Sequence, residues 1–155
     1  MIAVIAGATG LSGQALVHQL ELMPEITEIK ALVRTSGILP SSKKLKEIIL
    51  PWNGYKKLGL DITQSLTGDL FFCALGTTIK KAGSPEAFRE VDFEAVLSFA
   101  QIAEKHSARS FTLVSASGAN PQSPIFYSRV KGEAEVAVSQ LKIPRIVILR
   151  PGLLI

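Results

Sequence analysis

The chain has little of what would staple a small protein together. Cys73 is the only cysteine among 155 residues. No intramolecular disulfide can form, and no cysteine-based zinc site can be assembled. There are two histidines, His18 and His106, far apart in sequence, so no structural metal is expected. Charged residues make up only 19%, and the positive excess is small, 17 − 13 = +4. That excess suits an anionic ligand but is too small to argue for nucleic acid, and a mildly basic soluble protein accounts for it equally well. No stretch approaches the roughly 18 apolar residues of a membrane span. The opening MIAVIAGATG has no basic residues ahead of its apolar run, which makes a poor signal peptide and a good buried strand. The setting expected from these absences is a reducing cytoplasm.

Apolar residues supply 47% of the chain. This excludes a disordered tail, a fibrous repeat and a charged coiled coil. The length is that of one domain, able to bury roughly two thirds of its unfolded surface. Apolar runs alternate with amphipathic stretches. Strands are expected at 1–6, 29–33, 48–50, 70–75, 111–114 and 145–149, and helices at 11–22, 85–106 and 127–141. A short helix around 61–67 is a weaker expectation. In the long helix Phe88, Val91, Ala95, Val96, Phe99, Ala100 and Ala103 share one face. Strands alternating with helices predict βαβ units: a doubly wound, mostly parallel α/β sheet with helices on both faces and right-handed crossovers.

The first strand runs into Gly7-Ala-Thr-Gly10-Leu-Ser-Gly13 and opens a helix. In a dinucleotide site the first glycine allows the tight turn, the second lets the backbone approach a pyrophosphate, and the third lets helix pack on strand. The positive helix end meets the phosphates. The alternative is a glycine-rich turn with no ligand. The second strand ends at Arg34, where an NAD site often carries an acid. A guanidinium there pairs with a 2′-phosphate and favours NADP(H) over NAD(H), although a solvated arginine reads the same.

Tyr127 and Lys131 lie one helical turn apart, on one face. An ammonium near a phenol stabilises the phenolate, which fits Tyr127 for acid–base work. Ser115 and Ser117 end the fifth strand, where ligand sites form in open α/β sheets. Either hydroxyl can hold a carbonyl oxygen, or both only cap the loop. Cys73 reads as a core residue rather than a nucleophile. Lys80 and Lys81 fit the cleft mouth, but a solvated loop is the stronger reading.

Gly7–Gly13, Ala74-Leu-Gly-Thr-Thr78, Val114-Ser-Ala-Ser117-Gly-Ala, Tyr127-Ser-Arg-Val-Lys131-Gly-Glu and Arg150-Pro-Gly-Leu-Leu occur in one order along the whole chain. Together they resemble the atypical short-chain dehydrogenase/reductases, in the NAD(P)H-binding NmrA-like set and the Tat-interacting oxidoreductase branch. The resemblance implies a single Rossmann domain over 1–155 that prefers NADP(H). It implies pyrophosphate contacts around Gly7, Thr9, Gly10 and Leu11, and a 2′-phosphate contact at Arg34. Leu75, Gly76 and Thr77 would face the nicotinamide, flanked by Pro151, Gly152 and Leu153. Tyr127 would donate the proton with Lys131 as its partner. The nearest branch matches Ser115 as the functional serine, and the wider epimerase-like families match Ser117.

Where relatives carry an acid near the adenine, this chain has Leu50-Pro51-Trp52, with Asp61-Ile62 as a substitute and Trp52 more readily a packing residue. The chain stops soon after the sixth strand, so the segment that shapes the substrate pocket in relatives is expected to be lacking. Two functions follow: an NADP(H)-dependent oxidoreductase acting on a small carbonyl or alcohol, or an NADP(H)-binding sensor that regulates a protein partner with little turnover. Neither nucleic acid nor membrane is an expected partner, and an oligomer is allowed.

Overall fold

The computed structural model describes residues 1–50 and 64–152. The expectations at Trp52, Asp61-Ile62 and Leu153 lie outside the described residues, as does the first part of the expected helix at 61–67.

Six strands form one sheet: β1 (Ile2–Ala6), β2 (Glu28–Val33), β3 (Leu45–Ile49), β4 (Leu70–Cys73), β5 (Ser110–Val114) and β6 (Ile146–Leu149). Their order is β3-β2-β1-β4-β5-β6, and every pairing is parallel. The expected mostly parallel sheet is thus wholly parallel among the described residues. β1 is central and apolar throughout, because both its faces are covered: Ala3, Val4, Ile5 and Ala6 are fully buried.

Alternate residues of the strands feed two cores. Ala3, Ile5, Ile29, Ala31 and Val33 pack with Val17 and Leu20 of helix α1 (Leu11–Leu22). Val4, Ala6, Leu32, Phe71, Cys73, Phe111 and Leu113 pack on the opposite face against the later helices. The helices after β4 begin with α2 (Ile79–Ala82), which buries no residue, and α3 (Pro85–Arg89). α3 continues through a π-helical stretch, Glu90–Ala95, into α4 (Val96–Lys105). α5 (Phe126–Ser139) follows β5. Phe99 sits between Phe71 and Phe111, at ring centroid distances of 5.4 and 5.8 Å. Burying an aromatic ring of this size is worth on the order of 2–3 kcal/mol, so these rings anchor the second core.

Most boundaries shift by a residue or two, and two of the differences have a direct physical reason. β3 starts at Leu45 rather than 48, because it is an edge strand whose exposed positions admit Lys46 and Ile49. β4 ends at Cys73 rather than 75, because the backbone turns away at Ala74, whose N–H still donates to the Ala6 carbonyl at 2.8 Å.

Candidate dinucleotide site at the switch point

In this strand order the connections leave β1 and β4 in opposite directions. A crevice opens above their carboxyl ends, as it does wherever an open parallel sheet reverses its winding. A cleft of about 460 Å³ lies there, walled by Gly7, Thr9 and Gly10 after β1, Val33 at the end of β2 and Arg34 after it, and Ala74–Thr77 after β4.

The glycine turn is shaped by contact. Gly7 has φ +82°, and a Cβ on it would stand 2.4 Å from the Ala74 carbonyl oxygen. A Cβ on Gly13 would stand 2.1 Å from the Gly7 carbonyl oxygen, so the first turn of α1 lies directly on the loop. Gly10 differs: its nearest neighbour would be 3.5 Å away, which leaves its outer side open to the cleft. Gly10 caps α1 with no side-chain hydrogen bond, and the first turn carries no acid. The early amides of α1 therefore keep their donors and the positive helix end. Leu11, expected beside the pyrophosphate, is 71% exposed at that end.

Arg34 and Lys81 both stand on the cleft wall. The loop expected here is partly helical: Lys81 lies on α2, is exposed as expected, and borders the cleft. The loop after Arg34 is pinned by Glu47 of β3, whose carboxylate accepts from the Gly37 N–H at 2.7 Å and the Leu39 N–H at 3.1 Å. These two bonds, Gly37 first, hold the Glu47 carboxyl below its ordinary value.

At the other end of the cleft, Lys131 is 7% exposed and reaches beneath the β4 turn. Its Nζ lies 2.6 Å from Asp92 Oδ1 and 5.9 Å from the centre of the Tyr127 ring. The nearest charge to Lys131 is thus Asp92, which the sequence reading did not single out. A signal was present: Asp92 falls on the same helical stripe as Phe88 and Val96, as a carboxylate among core positions. Asp92 Oδ2 accepts from the Thr77 N–H at 3.0 Å. Burial pushes the Asp92 carboxyl up, and Lys131 opposes that shift. Tyr127 is half-buried against Phe88, with ring centroids 5.5 Å apart.

The two serines separate cleanly. Ser115 is 7% exposed, and its hydroxyl has no hydrogen-bond partner among the described residues. Ser117 is exposed. Both backbones are tied to the β6 end: the Ser115 N–H donates to Leu149 and the Ser117 N–H to Pro151, at 2.7 and 3.0 Å. Arg150 clasps Glu135 of α5 through Nε and a terminal nitrogen, which ties the chain just before Pro151 and Gly152 to that helix. Neither of these two residues lines the dinucleotide cleft; Pro151 borders a separate apolar hollow beside β4–β6. Cys73 is fully buried, and burial pushes its thiol up to about 12, so it is chemically quiet. No cluster of potential metal ligands occurs among the described residues, and no helix there is long and apolar enough to cross a membrane.

No family model matches the chain. It is 38% identical over 160 residues to the protein FMP52, mitochondrial, of Candida albicans, covering all of this chain and 68% of that protein. The Saccharomyces cerevisiae FMP52 is 32% identical over 152 residues, covering 98% of this chain and 65% of that one. Rat HTATIP2 is 32% identical over 154 residues, covering 97% and 62%. The chain therefore spans about two thirds of the length of these relatives. Among solved structures, the oxidoreductase ylbE from Lactococcus lactis superposes with a TM-score of 0.76 at 22% identity, over 98% of this chain and 69% of that one. The Bordetella bronchiseptica enzyme WbmG in complex with NAD gives 0.78 at 16%, over 97% and 52%.

The expected cytoplasmic setting is overturned. The FMP52 relatives are named as mitochondrial proteins, which points to that location instead. The physical ground for the earlier expectation was weak: a single thiol as deeply buried as Cys73 does not report its compartment.

Proposed function

The chain belongs to the FMP52 and HTATIP2 family of atypical short-chain dehydrogenase/reductases, and on that premise we propose that it is an NADP(H)-binding oxidoreductase. Its substrate would be a small carbonyl compound or the corresponding alcohol. The observation that carries this reading is the continuity of one cleft from Arg34, over the glycine turn, to Gly76 and Thr77 above Lys131.

The residues present fit a dinucleotide. Gly7, Thr9 and Gly10 would hold the pyrophosphate against the amides of α1, with Leu11 at the rim. Arg34, with Lys81, would receive a 2′-phosphate; a planar guanidinium pairs with phosphate through two parallel bonds. Leu75, Gly76 and Thr77 would face the nicotinamide. When bound, the cofactor supplies or accepts the hydride, and the protein supplies geometry and electrostatics.

Tyr127 would give its phenolic proton to the developing alkoxide. Lys131 holds positive charge beneath the β4 turn. Of the two serines, Ser115 fits the carbonyl-holding role better, because a buried hydroxyl without a partner among the described residues costs free energy that a substrate oxygen would repay.

The second reading, an NADP(H)-responsive module that regulates a protein partner, is favoured by one observation: Lys131 is ion-paired with Asp92 at 2.6 Å, while the centre of the Tyr127 ring lies 5.9 Å from its Nζ. Calorimetric titration of the 155-residue protein with NADPH and NADH tests the shared premise. NADPH is expected to bind more tightly than NADH. Absence of binding by either overturns both readings.

A further inference from the structure

Asp92 is 1% exposed, a carboxylate in the second core. A buried ion pair is weak support for stability, because desolvation of both charges offsets their attraction. Its place needs another reason.

The carboxylate joins three separate segments. Asp92 sits in the π-helical stretch between α3 and α4, a widened turn of the sort that occurs disproportionately at functional sites. Oδ1 faces Lys131 Nζ of α5 at 2.6 Å, and Oδ2 accepts from the Thr77 N–H in the β4 turn at 3.0 Å. The junction lies directly beneath the cleft: a Cβ on Gly76 would stand 3.5 Å from Lys131 Nζ and 3.6 Å from Asp92 Oδ1.

We propose that Asp92 is a positioning residue for the nicotinamide end of the cleft, its carboxylate locking Lys131 and the Gly76–Thr77 turn into one register. The chemistry selects a carboxylate. Both partners are donors, so position 92 must present two acceptors. Asparagine has the same shape but one acceptor, and its amide group would meet either the ammonium or the Thr77 N–H donor to donor. This inference rests on the dinucleotide reading above.

The test compares two probes on the same protein. NADPH has both ends of the cofactor; 2′,5′-ADP has the phosphorylated adenosine end and no nicotinamide. For Asp92→Asn, NADPH affinity is expected to fall about 10- to 100-fold, the worth of one charge-assisted hydrogen bond, with 2′,5′-ADP affinity held within about twofold. Lys131→Met is expected to behave alike, and the double variant to be no worse than either single one, since they remove one unit.

Unchanged NADPH affinity in Asp92→Asn overturns the proposal. So does an equal loss for both probes, which marks a merely structural role. Should Asp92→Asn fail to fold, the double variant, which removes both buried charges, carries the same comparison. Wild-type protein that binds neither probe overturns the dinucleotide reading and this inference with it.

Discussion

Gly7 and Ala74 are in backbone contact across the switch point: a methyl group on Gly7 would stand 2.4 Å from the Ala74 carbonyl oxygen. The turns after β1 and β4 therefore close on each other, and the cleft floor is backbone on both sides. Gly7→Ala combines this clash with an unfavourable φ of +82°. The strained backbone alone costs about 1–3 kcal/mol. Denaturant unfolding is expected to show a loss at least that large. Gly10→Ala is the contrasting variant, because its methyl meets nothing closer than 3.5 Å. It is expected to keep the wild-type unfolding midpoint and to lose NADPH binding, since the methyl occupies the phosphate's approach. A Gly10→Ala protein that binds NADPH normally would refute the phosphate assignment.

Arg34 stands on the cleft wall at the end of β2. Arg34→Ala is expected to weaken NADPH binding by about 1–3 kcal/mol, the worth of a charge-assisted contact, and NADH binding by much less. Titration of both cofactors against both proteins gives the answer. Equal losses would remove the 2′-phosphate assignment and the NADP(H) preference with it.

Tyr127→Phe removes one hydroxyl and keeps the ring that packs against Phe88. Stability and NADPH affinity should stay within a factor of about two, while turnover on a panel of carbonyl compounds falls by roughly 100-fold or more, the usual contribution of a positioned acid. Retained turnover would exclude Tyr127 as the proton donor. If wild-type protein has no turnover on any carbonyl, the sensor reading gains.

Glu47 carries a pH dependence. Its folded pKa lies below the ordinary 4.5, held there by the Gly37 and Leu39 amides. The stabilisation is therefore complete above 4.5 and is lost as pH falls through the lowered folded value. Wild-type protein is expected to lose melting temperature, and hydrogen-exchange protection at the Gly37 and Leu39 amides, across that acid range. Glu47→Gln should lack this component and show a flatter profile. Identical acid profiles for the two proteins would show that the carboxylate does not hold the loop.

Much of the molecule was legible from local pattern. Apolar runs broken by glycine marked β1 and β4, helical spacing marked α1 and α5, and Gly7–Gly13 marked the turn that walls the cleft. These features depend on residues within a few positions of one another, so strand and helix periodicity express them directly. β3 was read too short because an edge strand tolerates polar residues at its exposed positions.

The remaining features come from segments distant in sequence. Ser115 and Ser117 look alike along the chain; pairing of β5 with β6 buries the first and leaves the second in solvent. Lys81 reads as a loop lysine until α2 sets it on the cleft wall. Asp92 was not singled out along the chain; its partner appears only when the crossover helices pack together and bring Lys131 to within 2.6 Å. The sequence by itself determined the fold class and the glycine turn, because hydrophobic periodicity and backbone freedom are local properties. Only the tertiary structure decided which charge meets which, because burial and ion pairing belong to surfaces that exist once the sheet and its helices have assembled.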